Sequence, residues 1–177
     1  MYDPIPTSLE AEGLRWLFEQ RNRHRRHSHR IDDTLVSRIA PYFEAATLDR
    51  IRIRKVARIE EPPFSVSLEK SGFILPFGFR FAAGITFIDT IVVADQMLGR
   101  TDMTALIFHE AVHVAQYRCL TSNRFLREYM QSWMAHRFEC RRIPLESQAY
   151  RLQQRFEREP EVIFSVEQDI RHRFQPL

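Results

Sequence analysis

Ile107-Phe108-His109-Glu110-Ala111-Val112-His113-Val114-Ala115-Gln116 sets two histidines and a glutamate in a run that is otherwise apolar up to its last residue. On a helix, residues four apart share one face about a turn from each other. The imidazoles of His109 and His113 can then meet a single metal ion, and Glu110, beside the first of them, can reach a water on that ion. The flanks favour a helix. Asp102, after Thr101, is a good N-cap for a helix opening at Met103, and no Gly or Pro interrupts the chain before Arg118. Met103, Leu106, Ile107, Ala111, Val114 and Ala115 give it a buried surface at helical spacing. His109, His113 and Gln116 descend one side. An apolar helix seldom carries two histidines and a carboxylate without a use for them, because each must be stripped of water.

The rest of the composition bounds the problem. The chain has 177 residues, 44% hydrophobic and 28% charged, an ordinary globular balance with enough length for one domain and a sizeable core. No apolar run approaches the roughly 20 residues of a membrane span. The N-terminus has no basic stretch followed by an apolar one, so no secretory signal is visible. Cys119 and Cys140 are too few for a disulfide framework. A cytoplasmic protein with reduced thiols is expected. Net charge is +3, and much of the excess is local: eight of the ten residues in 21–30 are Arg or His. The run is either a patch for nucleic acid or another anionic surface, or the solvated C-terminal end of a helix, where cations are favourable. Aromatics are not interleaved in it, so nucleic-acid binding is disfavoured.

Along the chain, Thr7 or Ser8 can open a helix running to about Arg26, and Asp32 or Asp33 a second. The Ile51–Val56 segment alternates as a half-exposed strand does. Residues 72–83, rich in Gly, Pro and Phe, predict a loop or short strand. Gly84–Val93 predicts one strong strand, dense in β-branched and aromatic residues. After the histidine helix, Ser122 can cap another. Pro144 suits the first turn of the next, and Pro160 is read as starting the last, which carries Ile163, Val166, Ile170 and Phe174. A small sheet followed by a helical half makes an α+β domain over 1–177, with a helical extension at 1–45, the sheet and histidine helix at 48–120, and helices at 121–177.

His-Glu-x-x-His is the spacing of zinc-hydrolase helices. A catalytic zinc usually takes three protein ligands and keeps one position for water. A longer version of the motif adds Gly and His at fixed spacing, but here Gln116 and Cys119 stand in those places, which disfavours Cys119 as a ligand. The other source is a glutamate on a later helix: Glu128, Glu139, Glu146 or Glu157. Arginines beside Glu128, Glu139 and Glu157 account for those three as surface pairs. Glu146 sits in the first turn opened by Pro144, next to the Leu145/Ala149/Leu152 stripe, and a carboxylate so close to the core needs a partner such as a metal. The expected zinc ligands are therefore His109, His113 and Glu146.

With these residues in place the chain resembles the gluzincin branch of zinc metallopeptidases, especially small bacterial members with a His-Glu-x-x-His-Val-x-Gln motif and a downstream Pro-x-Glu-x-x-Ala-Tyr segment. The matching residues are His109 to Gln116 and Pro144-Leu145-Glu146-Ser147-Gln148-Ala149-Tyr150. The likeness covers roughly residues 50–157. It implies a zincin-like fold, in which a small mixed sheet packs on the histidine helix, and an endopeptidase acting on peptide or protein substrates. It also implies an edge strand before the helix that binds substrate by strand addition, here Gly84–Val93. Many gluzincins place an Asp four residues after the third ligand to orient a zinc histidine. Tyr150 stands there, so this chain must orient its histidines differently.

In such an enzyme Glu110 is the general base, and a further donor shares the oxyanion charge. Tyr150, Tyr129, His136 and Arg142 are all candidates. Two other readings compete with the peptidase: a zincin-fold metal-binding protein acting as a regulator or interaction module, and a nucleic-acid-binding protein using the Arg/His run. The intact Glu110 favours the peptidase, since a purely structural metal site has no need of a base.

Overall fold

The structure is a computed structural model that describes residues 7–61, 82–95, 102–135 and 140–174. It is mixed α and β. The helices among these residues are α1 (Thr7–Arg25), α2 (Asp33–Ile39), α3 (Ala45–Leu48), α4 (Met103–Leu120), α5 (Ser122–Ala135), α6 (Pro144–Arg158) and α7 (Val166–Phe174), with one-turn 3₁₀ segments at Ala40–Tyr42 and Cys140–Arg142. The strands β1 (His29–Arg30), β2 (Arg52–Val56), β3 (Gly84–Phe87) and β4 (Thr90–Ala94) form one sheet in the order β1-β2-β4-β3. β2 and β4 pair parallel, with Ile53 opposite Ile91, and the two outer pairs are antiparallel. None of these helices is long and apolar enough to cross a membrane. Residues 62–81, with most of the expected 72–83 loop, and His136 and Glu139 lie outside the described residues.

Helix boundaries follow local chemistry. Asp102 accepts the Thr104 N–H at 2.8 Å and opens α4 at the expected place. Asp32 caps α2 in the same way. Pro144 is the first residue of α6, where its missing N–H costs nothing. The last helix begins later than expected. Pro160 lies in a turn closed by the Val162 N–H on the Glu159 carbonyl, the second position of a β-turn, which proline favours as readily as a helix start. Ile163 is left exposed, and Ser165 receives the first N–H groups of α7.

The segment expected as a single strand over 84–93 is instead a hairpin. Phe87 pairs with Thr90 across Ile88 and Asp89. Ile88 has φ 62°, and the Asp89 N–H closes the turn on the Phe87 carbonyl at 2.8 Å. A β-branched residue is costly in the left-handed region, and no Gly or Asn marks the turn. What holds it lies elsewhere in the chain. Arg21 grips both carboxylate oxygens of Asp89 at 2.9 and 2.8 Å, and Arg25 adds a third contact at 3.0 Å.

β4 is buried on both faces. On one side, Ile51, Ile53, Ile91 and Val93 pack with Ile107, Phe108, Ala111 and Val114 of α4. On the other, Phe87, Val92 and Ala94 join Leu17 of α1 in a cluster that extends to Tyr117, Phe125 and Trp133. α4 thus runs through the middle of the molecule, with β3 along one flank and α6 along another.

Candidate metal centre

His109 and His113 leave α4 one turn apart and bring their Nε2 atoms to 3.2 Å from each other. Glu146, in the first turn of α6, places Oε2 at 3.4 Å from the first and 3.5 Å from the second. Both histidines are buried, and the Glu146 side chain nearly so. A tetrahedral zinc with bonds of about 2.0–2.1 Å sets its ligands about 3.3–3.4 Å apart. The three donor atoms already form a triangle of that size. Two imidazoles and one carboxylate are a donor set suited to zinc, and this is the one such group among the described residues. Cys119, a free thiol, is not in it; it packs partly buried against the core on another side of α4.

Electrostatics in the triangle favour a cation. Burial pulls the His113 imidazolium down, but the Glu146 carboxylate and its hydrogen bond reverse this and push the group up to about 9. Burial raises Glu146, yet the His113 charge and the hydrogen bonds from both histidines hold it far below the usual carboxylate range. A proton on His113 and a metal ion answer the same field, so they compete for the site.

Glu110 points from α4 toward β3. The Thr86 hydroxyl lies 2.7 Å from its Oε2 and 3.1 Å from its backbone oxygen. Gly84, on the same face of β3, lies so close that a Cβ there would stand 2.8 Å from Oε1 and 3.1 Å from Cγ and Cδ. The glycine is needed for room, not for an unusual φ. Burial raises the Glu110 carboxyl, opposed by His109, His113 and the Thr86 hydrogen bond.

The other expected donors part company here. The Tyr129 hydroxyl, reaching in from α5, donates to Glu146 Oε1 at 3.0 Å. Tyr150 lays its ring against His109, centroids 4.5 Å apart, under the Arg141 guanidinium. Arg142 sits on the exposed 3₁₀ turn, and Glu128 pairs with Arg124 as expected. Around the histidines stand Gln116, which spacing had placed on their side of the helix, and two glutamines of α6 that it did not single out. Gln153 of α6 contacts His109 Nδ1 at 3.0 Å, and Gln116 contacts His113 Nδ1 at 2.8 Å. Gln148, fully buried, bonds Gln116 in turn. Gln153 could have been found by phase, since it lies seven residues after Glu146 and so on the same face of α6.

Half of the basic run of 21–30 is engaged by the fold, while Arg26, His27, His29 and Arg30 stay exposed. Arg21 and Arg25 hold the hairpin turn, Arg23 pairs with Glu60, and His24 is buried in parallel stacking on Phe87 of β3. Compared with family models, with curated proteins and with solved structures, the chain matched none of them.

Proposed function

We propose that this protein is a zinc-dependent metallopeptidase of gluzincin type. The observation that carries the reading is the donor triangle of His109, His113 and Glu146, sized for a tetrahedral zinc, with a buried carboxylate on the adjacent residue. Bound there, zinc supplies Lewis acidity, lowering the pKa of a water and polarising a carbonyl. Glu110 takes the proton from the attacking water and returns it to the leaving amine. Burial favours its neutral form, which helps it hold that proton between the two transfers. Among the described candidates Tyr129, whose hydroxyl already borders the triangle, is the donor best placed to share the charge that develops on the carbonyl oxygen. Among the described residues β3 is the edge of the sheet beside Glu110, so an extended peptide can add to it as a further strand.

The deciding experiment is Glu110→Gln. It keeps the size of the side chain and leaves the ligands in place, so zinc content, measured by elemental analysis, stays near one per chain. Cleavage of a peptide or unfolded-protein library, read by mass spectrometry, falls by about 10²–10⁴-fold. Products that appear equally with both proteins come from a contaminant. Zinc binding by a wild type that cleaves nothing in the library would replace the peptidase with a metal-binding interaction protein.

A further inference from the structure

His109 and His113 each face a glutamine on the side away from the triangle, and each glutamine is itself pinned. The Gln116 amide nitrogen donates to the Leu145 carbonyl at 3.0 Å and to Gln148 Oε1 at 3.0 Å. A backbone carbonyl only accepts, so the nitrogen must face Leu145 and the oxygen must face His113. The His113 Nδ1 is then obliged to carry the hydrogen. The same logic holds on the other side. The Gln153 nitrogen donates to a Glu157 carboxylate oxygen at 3.2 Å, also an acceptor, which turns its oxygen to His109 Nδ1. Each neutral imidazole is thereby left with its lone pair on Nε2, the atom that points into the triangle.

Gln116 does a second thing. Leu145 is the residue before Glu146, so the bond to its carbonyl ties the histidine helix to the turn that carries the third donor. Gln148 extends the tie to α7 through Asp169 Oδ1 at 2.7 Å.

We infer that Gln116 and Gln153 are positioning residues for the metal: they fix both histidines as Nδ1–H tautomers that coordinate through Nε2, by neutral amides where a carboxylate would ordinarily serve. This rests on the metal-site reading above. Second-layer partners of metal-bound histidines fix tautomer and ring orientation, and their loss typically costs about 10–100-fold in metal affinity. A neutral acceptor does this without adding negative charge, so Glu146 remains the only anion among the donors and their direct orienting partners.

Gln153 is the variant to test, because it is half-exposed and its replacement spares the core. Co²⁺ and Zn²⁺ affinities are measured on the full chain by competition with a chromophoric chelator, together with the visible spectrum of the Co²⁺ form. Gln153→Met keeps length and removes the acceptor; affinity should fall about 10–100-fold, with a shifted Co²⁺ spectrum and an unchanged thermal midpoint of the metal-free protein. Gln153→Glu restores an acceptor and should return affinity to the wild-type level or above. A structural packing role would make Met the better substitute of the two. Gln116 is fully buried and its removal would strand Leu145 and Gln148, so its part is read on the wild type: imidazole ¹⁵N shifts of the Zn²⁺ form should show Nδ1 protonated and Nε2 coordinated on both histidines. Coordination of either through Nδ1, or wild-type affinity in Gln153→Met, overturns the inference and leaves the metal site standing. A wild type that takes up neither ion overturns both.

Discussion

Glu110 shows how much of the proposed chemistry depends on residues that touch it from another element. Its carboxylate is confined by Gly84 on one side and held by the Thr86 hydroxyl on the other. A methyl group at Gly84 would stand 2.8 Å from Oε1, so Gly84→Ala must displace the carboxylate. A misplacement of about 1 Å in a reacting group can cost on the order of 10²-fold in rate. Gly84→Ala is therefore expected to lower peptidase activity by about that factor while zinc content stays unchanged. Thr86→Val removes the hydroxyl at constant shape and leaves a buried oxygen without its donor. It should cost roughly 1–3 kcal/mol in chemical denaturation as well as activity. Wild-type rates in both variants would mean that β3 does not position the base. The convergence of His109, His113 and Glu146 was legible in the sequence because helical spacing alone brings His109 to His113, and the phase of α6 brings Glu146 inward. Gly84 and Thr86 were not, because nothing local in a strand tells which helix residue will lie across from it.

At the scale of elements, legibility followed the caps. α1, α2, α4 and α6 begin where Asp or Pro chemistry, or the expected Thr7 opening, put them, within a residue or so. The 84–93 hairpin was missed because the conformational demand of its turn is met by Arg21 and Arg25 of α1 rather than by a glycine. That docking gives the Arg/His run a role in the fold and makes a testable statement about pH. His24 is buried against Phe87 and is pushed down from 6.5 to about 4, first by burial and then by the charges of Arg54 and Arg23. A depressed histidine leaves the unfolded chain as the better proton binder. The stability it contributes is complete above about pH 6.5 and is lost as pH falls toward about 4. The denaturant midpoint of the wild type should thus drop more between pH 7 and pH 4.5 than that of His24→Leu, with a difference on the order of 1–3 kcal/mol. Carboxylates titrate in both proteins and cancel in the comparison. Parallel pH profiles for the two would place His24 in contact with water.

For the whole molecule, the proposed metal centre would matter to more than catalysis, because its donors come from two helices far apart in sequence. α4 and α6 pack extensively against each other, and His109, His113 and Glu146 lie across that contact. An ion bound by all three links the central helix to the C-terminal helical half, and no ligand set of that kind persists in the unfolded chain. Zinc should therefore stabilise the fold by mass action, by about 4 kcal/mol at a free concentration near 1,000 Kd. For a chain of this length that corresponds to roughly 8–16 °C in the thermal midpoint. A chelator should remove the increment reversibly. Glu146→Ala deletes the one donor that α6 provides, so its midpoint should no longer respond to zinc, whereas Cys119→Ser should respond as the wild type does. Calorimetric scans of the three proteins with zinc and with chelator check this directly. If Glu146→Ala gains as much from zinc as the wild type, the ion is held without α6 and the triangle is not the site. If Cys119→Ser alone loses the response, the third ligand comes from α4 itself and the gluzincin reading falls.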